Sequence, residues 1–135
     1  SLEPFAALRG VGVLLYHPGF GVATPWAFAE LRKHPSALAG RRGRAMELVD
    51  CLRTGDLSAA GRLLYNSLEA PVLIKYPVLQ LYQDFFRQHG AWGTLMSGSG
   101  STTFALFSSL AAAEKAVAPF EAEFGQAGWL RTVAW

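Results

Sequence analysis

The sequence has 135 residues, of which 51% are hydrophobic and 16% are charged. This length and composition fit one globular domain of ordinary size and exclude a disordered tail, a collagen-like repeat and a small disulfide-rich protein. The formal net charge of +2 is too small to indicate a nucleic-acid-binding protein by itself.

The first predicted element is a strand over residues 11–16, because this continuous apolar run is typical of a strand buried on both faces. A Thr-Pro pair at 24–25 is typical of a helix start, with a hydroxyl cap and a proline in the first turn. This helix is expected to end before Pro35. Residues 35–43 are rich in Gly, Pro and Arg and are predicted to form a loop.

Further helices are predicted in the middle of the chain. Residues 45–52 alternate apolar and polar side chains at helical spacing. Asp56 is predicted to cap the next helix, and Asn66 or Ser67 to cap a short one over residues 68–74. These segments follow one another closely, so we expect several helices between the first strand and the second.

The clearest helix covers residues 77–89, with Pro77 in its first turn and Gly90 just after its end. Its apolar residues fall at i, i+1, i+4, i+7 and i+8 and therefore share one face. They are Val78, Leu79, Tyr82, Phe85 and Phe86.

After this helix the apolar pattern changes to a period of two, which predicts strands over residues 91–96 and 102–107. A helix follows that begins at Ser109 or its neighbour and that Pro119 kinks or ends. Residues 129–135 alternate again and are predicted to form a last strand.

The predicted order of elements is that of an α+β protein with a ferredoxin-like split β-α-β fold. We expect a four-stranded antiparallel sheet with the helices on one face and extra helices in the first crossover. The whole chain, residues 1–135, is predicted to form one domain.

The turn between the second and third strands contains only small residues, Ser97, Gly98, Ser99, Gly100 and Ser101. Glycine permits positive φ and close approach of the backbone to a ligand, and successive N–H groups in such a turn bind anions. The turn lacks the lysine of a P-loop and the following helix of a dinucleotide-binding motif. A flexible hairpin loop is the simpler interpretation, but five small residues in a row favour a loop that leaves room for another surface.

Three segments of the sequence resemble the GHMP kinase family. MSGSGSTTFA at 96–105, preceded by the Gly-Ala pair at 90–91, is similar to the third signature motif of that family. LYHPGFGVATPWAF at 15–28 and YNSLE at 65–69 resemble one of its branches, the 4-diphosphocytidyl-2-C-methyl-D-erythritol kinases of the non-mevalonate isoprenoid pathway. Ser101 departs from the family, where many members have proline, and we expect this difference to alter the stiffness of the loop more than its function.

The resemblance implies roles for individual residues. Thr24, Pro25 and Phe28 match positions that shape the cytidine pocket of the branch, where an aromatic face stacks well on a pyrimidine. Residues 97–101 match the loop that lies beside the phosphate loop, a supporting role without proton transfer. Without the resemblance, Phe28 would be predicted as a core residue of an amphipathic helix.

The resemblance also implies which parts lie outside this chain. The family's phosphate loop, of the type Pro-x-x-x-Gly-Leu-Gly-Ser-Ser, and its catalytic Asp and Lys belong to an amino-terminal domain, and none of these occurs here. We therefore expect a carboxy-terminal domain that contains no catalytic residue and no metal site, that is inactive alone, and whose intact enzyme uses ATP and Mg²⁺ on a cytidine-diphosphate substrate. Its partners would be its own amino-terminal domain and that substrate, and neither nucleic acid nor a membrane.

Two features of the chain bear on its cellular context and its assembly. A single cysteine, Cys51, and the lack of a recognisable signal peptide or of an apolar run of about 20 residues favour a cytoplasmic protein without a membrane anchor. A domain separated from its partner is expected to expose an apolar patch, here near residues 18–28 and 97–101, and to self-associate through it.

Three alternative functions remain open at this point. The chain could be a non-catalytic ferredoxin-like module that binds or senses a ligand, since fold does not determine function. It could belong to another GHMP kinase of the homoserine or mevalonate type. An RNA-binding domain on a similar sheet is disfavoured, because the basic start of the RNA-binding strand motif is missing and the net charge is low.

Other polar residues are interpreted as structural. His17, His34 and His89 share no metal-ligand spacing, and His17 is interpreted as a structural histidine. A basic cluster, Arg41, Arg42 and Arg44, is interpreted as a solvated loop, with contact to phosphate as the alternative. Asn66 is interpreted as a helix cap although it could also donate to a ligand. The four tryptophans, Trp26, Trp92, Trp129 and Trp135, are interpreted as packing residues.

Overall fold

The computed structural model describes residues 10–39 and 43–134. Its sheet contains β1 (Gly12–His17), β2 (Gly93–Met96), β3 (Thr103–Phe107) and β4 (Trp129–Ala134). The strand order is β2-β3-β1-β4, and every neighbouring pair is antiparallel. The predicted α+β fold with a four-stranded antiparallel sheet is therefore confirmed.

In the described part of the chain, six helices occupy the first crossover and two the second. The first crossover contains α1 (Thr24–Leu31), α2 (Pro35–Ala39), α3 (Arg44–Thr54), α4 (Leu57–Leu63), α5 (Glu69–Lys75) and α6 (Val78–Gln88). The second contains α7 (Leu110–Lys115) and α8 (Val117–Phe124). No helix within the described ranges is long and apolar enough to cross a bilayer.

Two predicted caps are confirmed. The side chain of Asp56 accepts a hydrogen bond of 3.1 Å from Ala59 N at the start of α4. The hydroxyl of Ser109 accepts one of 3.0 Å from Ala112 N at the start of α7. Each cap satisfies an N–H group that has no partner within its helix, which explains why both helices begin where they do.

One detail of the predicted elements is wrong. Residues 35–43 are not a loop throughout, since α2 begins at Pro35. Proline fits the first helical position, where its missing N–H costs nothing, so it starts this helix. The predicted interruption near Pro119 is confirmed: α7 ends at Lys115, and Pro119 lies in the first turn of α8.

One face of the sheet carries the core. Leu14 of β1 and Phe107 of β3 are fully buried there. The predicted apolar stripe of α6 packs onto this face, with Leu79 and Phe86 fully buried. Phe86 stacks on Phe120 of α8 with ring centroids 4.9 Å apart, within a larger cluster of aromatic rings.

The second face of the sheet is less covered. Its residues alternate with the core residues along each strand and are partly exposed. They line an apolar groove of about 360 Å³ that Leu48 and Leu52 of α3 border. The groove lies on the side of the sheet opposite α6 and α8.

Candidate functional site

Two loops meet at one end of the sheet, the β2–β3 turn (residues 97–101, the glycine loop) and the segment between β1 and α1. Ser99 Oγ lies 3.0 Å from Thr24 Oγ1. The hydroxyl of Ser101 donates to the carbonyl of Phe20. The structure thus brings the predicted Thr24 to the predicted glycine loop across 75 positions of sequence.

The glycine loop needs its two glycines. Gly98 has φ +57° and Gly100 has φ +97°, values that side chains rarely adopt. At Gly100 a Cβ would also lie 2.9 Å from Met96 Sδ. Ser97 and Gly98 are exposed whereas Ser101 is 1% exposed, so one end of the loop faces outward and the other is anchored in the fold.

Phe28 is exposed on α1, four residues after Thr24. Half of its surface (50%) is accessible, so its interpretation as a core residue is wrong. Phe28 follows Thr24 by four residues on α1, which puts both side chains on the same helix face. Pro25 is exposed in the first turn, while Ala27 and Leu31 carry the buried side of the helix. An exposed aromatic ring therefore lies one helical turn along α1 from the hydroxyl pair that joins this helix to the glycine loop.

The side chain of Asn66 joins this site from the start of α5. Its Oδ1 accepts a hydrogen bond of 3.1 Å from Leu68 N in the turn before α5. The prediction that Asn66 or Ser67 caps this helix is wrong, because Leu68 is the N-cap residue and no side chain caps α5. Its Nδ2 donates to Met96 O (2.9 Å) and to Gly98 O (2.7 Å). Sequence reasoning missed these two bonds, which hold the glycine loop, because the partners lie about 30 positions away. The only sequence signal is the YNSLE segment itself.

Glu69 is a second residue that sequence reasoning missed. Its Oε2 accepts hydrogen bonds of 2.8 Å from Met96 N and from Gln83 Nε2. β2 is an edge strand, and this carboxylate satisfies one of its outward N–H groups. Gln83, only 2% exposed, also accepts from Thr94 Oγ1 at 2.9 Å. Asn66 and Glu69 together bind the edge of β2 where it enters the glycine loop.

His17 has a structural environment, in agreement with its interpretation. Its Nδ1 lies 3.1 Å from Thr102 Oγ1, and its ring stacks on Trp129 with centroids 5.8 Å apart. Within residues 10–39 and 43–134, no group of three or more His, Cys, Asp or Glu could hold a metal ion. Trp129 is 45% exposed, so its packing is one-sided.

The predicted basic cluster is described only in part. Arg44 places its guanidinium 4.5 Å from the centroid of the Tyr65 ring, a cation–π contact. Arg41 and Arg42 lie outside the described residues, as does Trp135. Arg44 is half-buried and engaged with Tyr65, so it is not part of a fully solvated loop.

The tyrosines with perturbed titration belong to the core and not to the glycine loop. Burial, with Tyr82 as a neighbour, raises the pKa of Tyr16 to about 12, and burial also raises the pKa of Tyr82. The hydroxyl of Tyr16 donates to Ala127 O at 3.1 Å. Both tyrosine hydroxyls therefore stay protonated at neutral pH.

Comparisons with known proteins agree on one family. Residues 48–126 match the family described as GHMP kinases C terminal. The chain is 39% identical over 112 residues to a 4-diphosphocytidyl-2-C-methyl-D-erythritol kinase of Acaryochloris marina, covering 76% of this chain and 36% of the relative. It is 36% identical over 120 residues to the kinase of the same name from Synechococcus sp. strain JA-3-3Ab, covering 85% and 39%.

Solved structures share the fold. A homoserine kinase from Cytophaga hutchinsonii aligns with a TM-score of 0.72 and 25% identity over 94% of this chain and 41% of that one. A 4-(cytidine 5'-diphospho)-2C-methyl-D-erythritol kinase aligns with a TM-score of 0.65 and 24% identity over 92% and 42%. The chain therefore spans about two fifths of the length of the proteins it matches.

Proposed function

Because this chain belongs to the GHMP kinase family as a carboxy-terminal domain, we propose that it forms the substrate-side wall of the active site of an ATP-dependent small-molecule kinase. The substrate we propose is 4-diphosphocytidyl-2-C-methyl-D-erythritol, in agreement with the names of the two curated relatives. An amino-terminal domain corresponding to the remaining three fifths of those relatives completes the enzyme.

The exposed ring of Phe28 is the observation that carries this proposal. Phe28 is half exposed, and it lies one helical turn from the Thr24–Ser99 hydroxyl pair. An aromatic face stacks on any nucleobase, and adjacent hydroxyls bind polar groups of the same ligand. A cytidine diphosphate has both a pyrimidine ring and phosphate oxygens, so it matches both parts of this surface.

The proposed reaction is transfer of the γ-phosphoryl group of ATP to a substrate hydroxyl. The hydroxyl oxygen forms a bond to the γ-phosphorus, the bond between that phosphorus and the bridging oxygen breaks, and ADP leaves with those electrons. The hydroxyl proton passes to a base outside this chain. Such a reaction depends mainly on positioning and charge stabilisation. In our proposal the ring of Phe28 stacks on the cytosine ring of the substrate, and Thr24 orients the substrate next to the glycine loop.

We place the binding of ATP and Mg²⁺ mainly on the amino-terminal domain. Mg²⁺ in kinases is held by carboxylates together with nucleotide phosphates. The described residues offer no cluster of acidic side chains for such a role. They do offer small hydroxyl-bearing residues in the glycine loop, whose O–H groups donate hydrogen bonds to phosphate oxygens.

A homoserine kinase is the second candidate, because the Cytophaga hutchinsonii homoserine kinase shares the fold with a TM-score of 0.72. A mevalonate kinase is a related alternative. Homoserine and mevalonate have no ring, so neither makes use of an exposed phenylalanine. The three substrates are therefore compared directly in the experiment below.

The partner domain is expected to cover the surface around Phe28. Exposed small or apolar residues lie along the segment before it, namely Gly19, Gly21, Ala23 and Pro25. Without its partner, the chain is proposed to self-associate through this surface. The enzyme is placed in the cytoplasm, where ATP is supplied and Cys51 stays reduced.

A chimeric enzyme tests the proposed function. The amino-terminal part of the Acaryochloris marina relative is joined to this chain in place of its own carboxy-terminal third, and ATP-dependent release of ADP is measured. We expect turnover with 4-diphosphocytidyl-2-C-methyl-D-erythritol, little with homoserine or mevalonate, and none with this chain alone. A folded chimera that prefers homoserine, or a chain that phosphorylates substrate alone, contradicts the proposal.

A further inference from the structure

We propose that Asn66 is a positioning residue that sets the direction of a phosphate-binding N–H group in the glycine loop. The group is the backbone N–H of Ser99. The ligand is a phosphate oxygen, of the nucleotide or of the substrate. This inference rests on the proposed function for its catalytic consequence and on the geometry of the loop for its structural part.

Asn66 holds the glycine loop through two hydrogen bonds. One amide nitrogen donates to two carbonyl oxygens, Met96 O at 2.9 Å and Gly98 O at 2.7 Å. An amide NH₂ carries two hydrogens, so both bonds form at once. Asn66 is itself held by the bond from Leu68 N to its Oδ1. Its side chain is therefore fixed at both ends.

The planar peptide between Gly98 and Ser99 couples the direction of the Gly98 carbonyl to that of the Ser99 N–H. A trans peptide is planar, and its C=O and N–H point in opposite directions. The one cis bond among the described residues lies elsewhere, between Gly100 and Ser101. Because Gly98 O points to Asn66, Ser99 N–H points away from it. Rotation of this peptide would turn the N–H toward Asn66 and break the 2.7 Å bond.

Among the described residues, neither the N–H of Ser99 nor that of Gly98 before it has a hydrogen-bond acceptor. Ser97 N and Gly100 N bond to carbonyls of the loop, at 2.8 Å to Thr102 O and at 3.0 Å to Ser97 O. For Gly98 N and Ser99 N, the described part of the chain provides no such acceptor. Gly98 is exposed, so water meets this need until a ligand arrives. A row of outward N–H groups in a glycine turn binds an anion.

Glu69 provides an independent anchor next to the loop. Glu69 accepts from Met96 N at 2.8 Å while Asn66 donates to Met96 O. Both outward polar groups of Met96 are therefore bound by side chains of one short segment, 66–69. The loop then extends from a fixed base, and the bond from Asn66 to Gly98 O holds the direction of the peptide beyond it.

The first test measures the direction of the N–H bond in this chain. Residual dipolar couplings of backbone amides are recorded for the unaltered chain and for Asn66→Asp, which keeps an acceptor for Leu68 N but loses both donors. Ser67→Ala is the matched control, because Ser67 is the neighbouring residue and its side chain makes no hydrogen bond to the described residues. We expect the Ser99 coupling to change in Asn66→Asp alone, with the couplings of β1 and β3 unchanged.

The second test measures the catalytic consequence in the chimeric enzyme. We expect Asn66→Asp to reduce kcat/KM by about 10- to 100-fold, the range expected for a displaced positioning group. A rise in KM for ATP assigns the phosphate to the nucleotide, and a rise in KM for the diphosphocytidyl substrate assigns it to the substrate. Asn66→Ala, with melting temperatures for every variant, separates this effect from loss of folding.

The outcomes that overturn the inference are distinct from those that overturn the proposed function. An unchanged Ser99 coupling in a folded Asn66→Asp chain overturns the inference whatever the chimera does. Unchanged kinetics in a folded Asn66→Asp chimera also overturn it while leaving the kinase assignment intact. An unaltered chimera that is folded but inactive contradicts the proposed function, and the couplings still decide the role of Asn66 in the loop.

Discussion

Replacing Phe28 with alanine is expected to weaken binding of a cytidine substrate with little effect on folding. Half of the phenylalanine surface is already exposed, so the free energy of unfolding should fall by about 1 kcal/mol or less. Stacking of an aromatic side chain on a base contributes about 1–3 kcal/mol. At about 1.4 kcal/mol per factor of ten, this corresponds to a rise of about 5- to 150-fold in KM for the diphosphocytidyl substrate.

The assay is steady-state kinetics of the chimeric enzyme with each substrate varied in turn. The matched control is Leu81→Ala, which removes another exposed apolar side chain (54% accessible) from α6. We expect Phe28→Ala to raise KM for the diphosphocytidyl substrate while KM for ATP stays within about twofold, since only the former carries a base to this surface. Equal kinetics for the two variants would refute the assignment of Phe28 to the base.

Two further predictions concern the fold that supports the site. Gly61→Ala places a Cβ 1.7 Å from Trp92 O, a backbone atom that cannot move alone, so urea unfolding should show a loss of about 3 kcal/mol or more. The control Gly21→Ala meets nothing within 4 Å and should leave stability nearly unchanged, and equal losses would contradict this packing. Burial raises the pKa of Tyr16 to about 12 in the folded protein. The protonated hydroxyl therefore contributes stability that is fully present below about pH 10 and is lost as the pH rises to about 12, because the unfolded chain deprotonates first. Stability of Tyr16→Phe should therefore fall less steeply over that interval, and parallel pH profiles would show that burial of Tyr16 has no such effect.

Local signals in the sequence predicted most of the fold. The stripe of α6 is confirmed because a 3.6-residue period leaves one face to bury, and the glycine after it has the positive φ that ends the helix. The caps of Asp56 and Ser109 depend only on residues three positions away. The short helix α2 was not predicted, because a proline such as Pro35 is typical both of the end of one helix and of the start of another.

The candidate site was predictable only in part. The family resemblance predicted roles for Thr24 and the glycine loop in one site. The 3.0 Å contact between the hydroxyls of Thr24 and Ser99 is consistent with their lying together. The roles of Asn66 and Glu69 were not accessible, because the hydrogen bonds that define them reach residues 27 to 32 positions away. A polar residue near a helix start has a sufficient local explanation as a cap, which hides any second contact.

The most direct measurement is phosphorus NMR of the chimeric enzyme supplied with ATP, Mg²⁺ and 4-diphosphocytidyl-2-C-methyl-D-erythritol. The account predicts a new phosphomonoester resonance on the substrate that grows in step with ADP. It also predicts that this growth slows when Phe28 is replaced by alanine at low substrate concentration. A folded chimera that produces no phosphomonoester, or that produces it equally well without Phe28, would contradict the claim that this chain forms the substrate-side wall of the kinase.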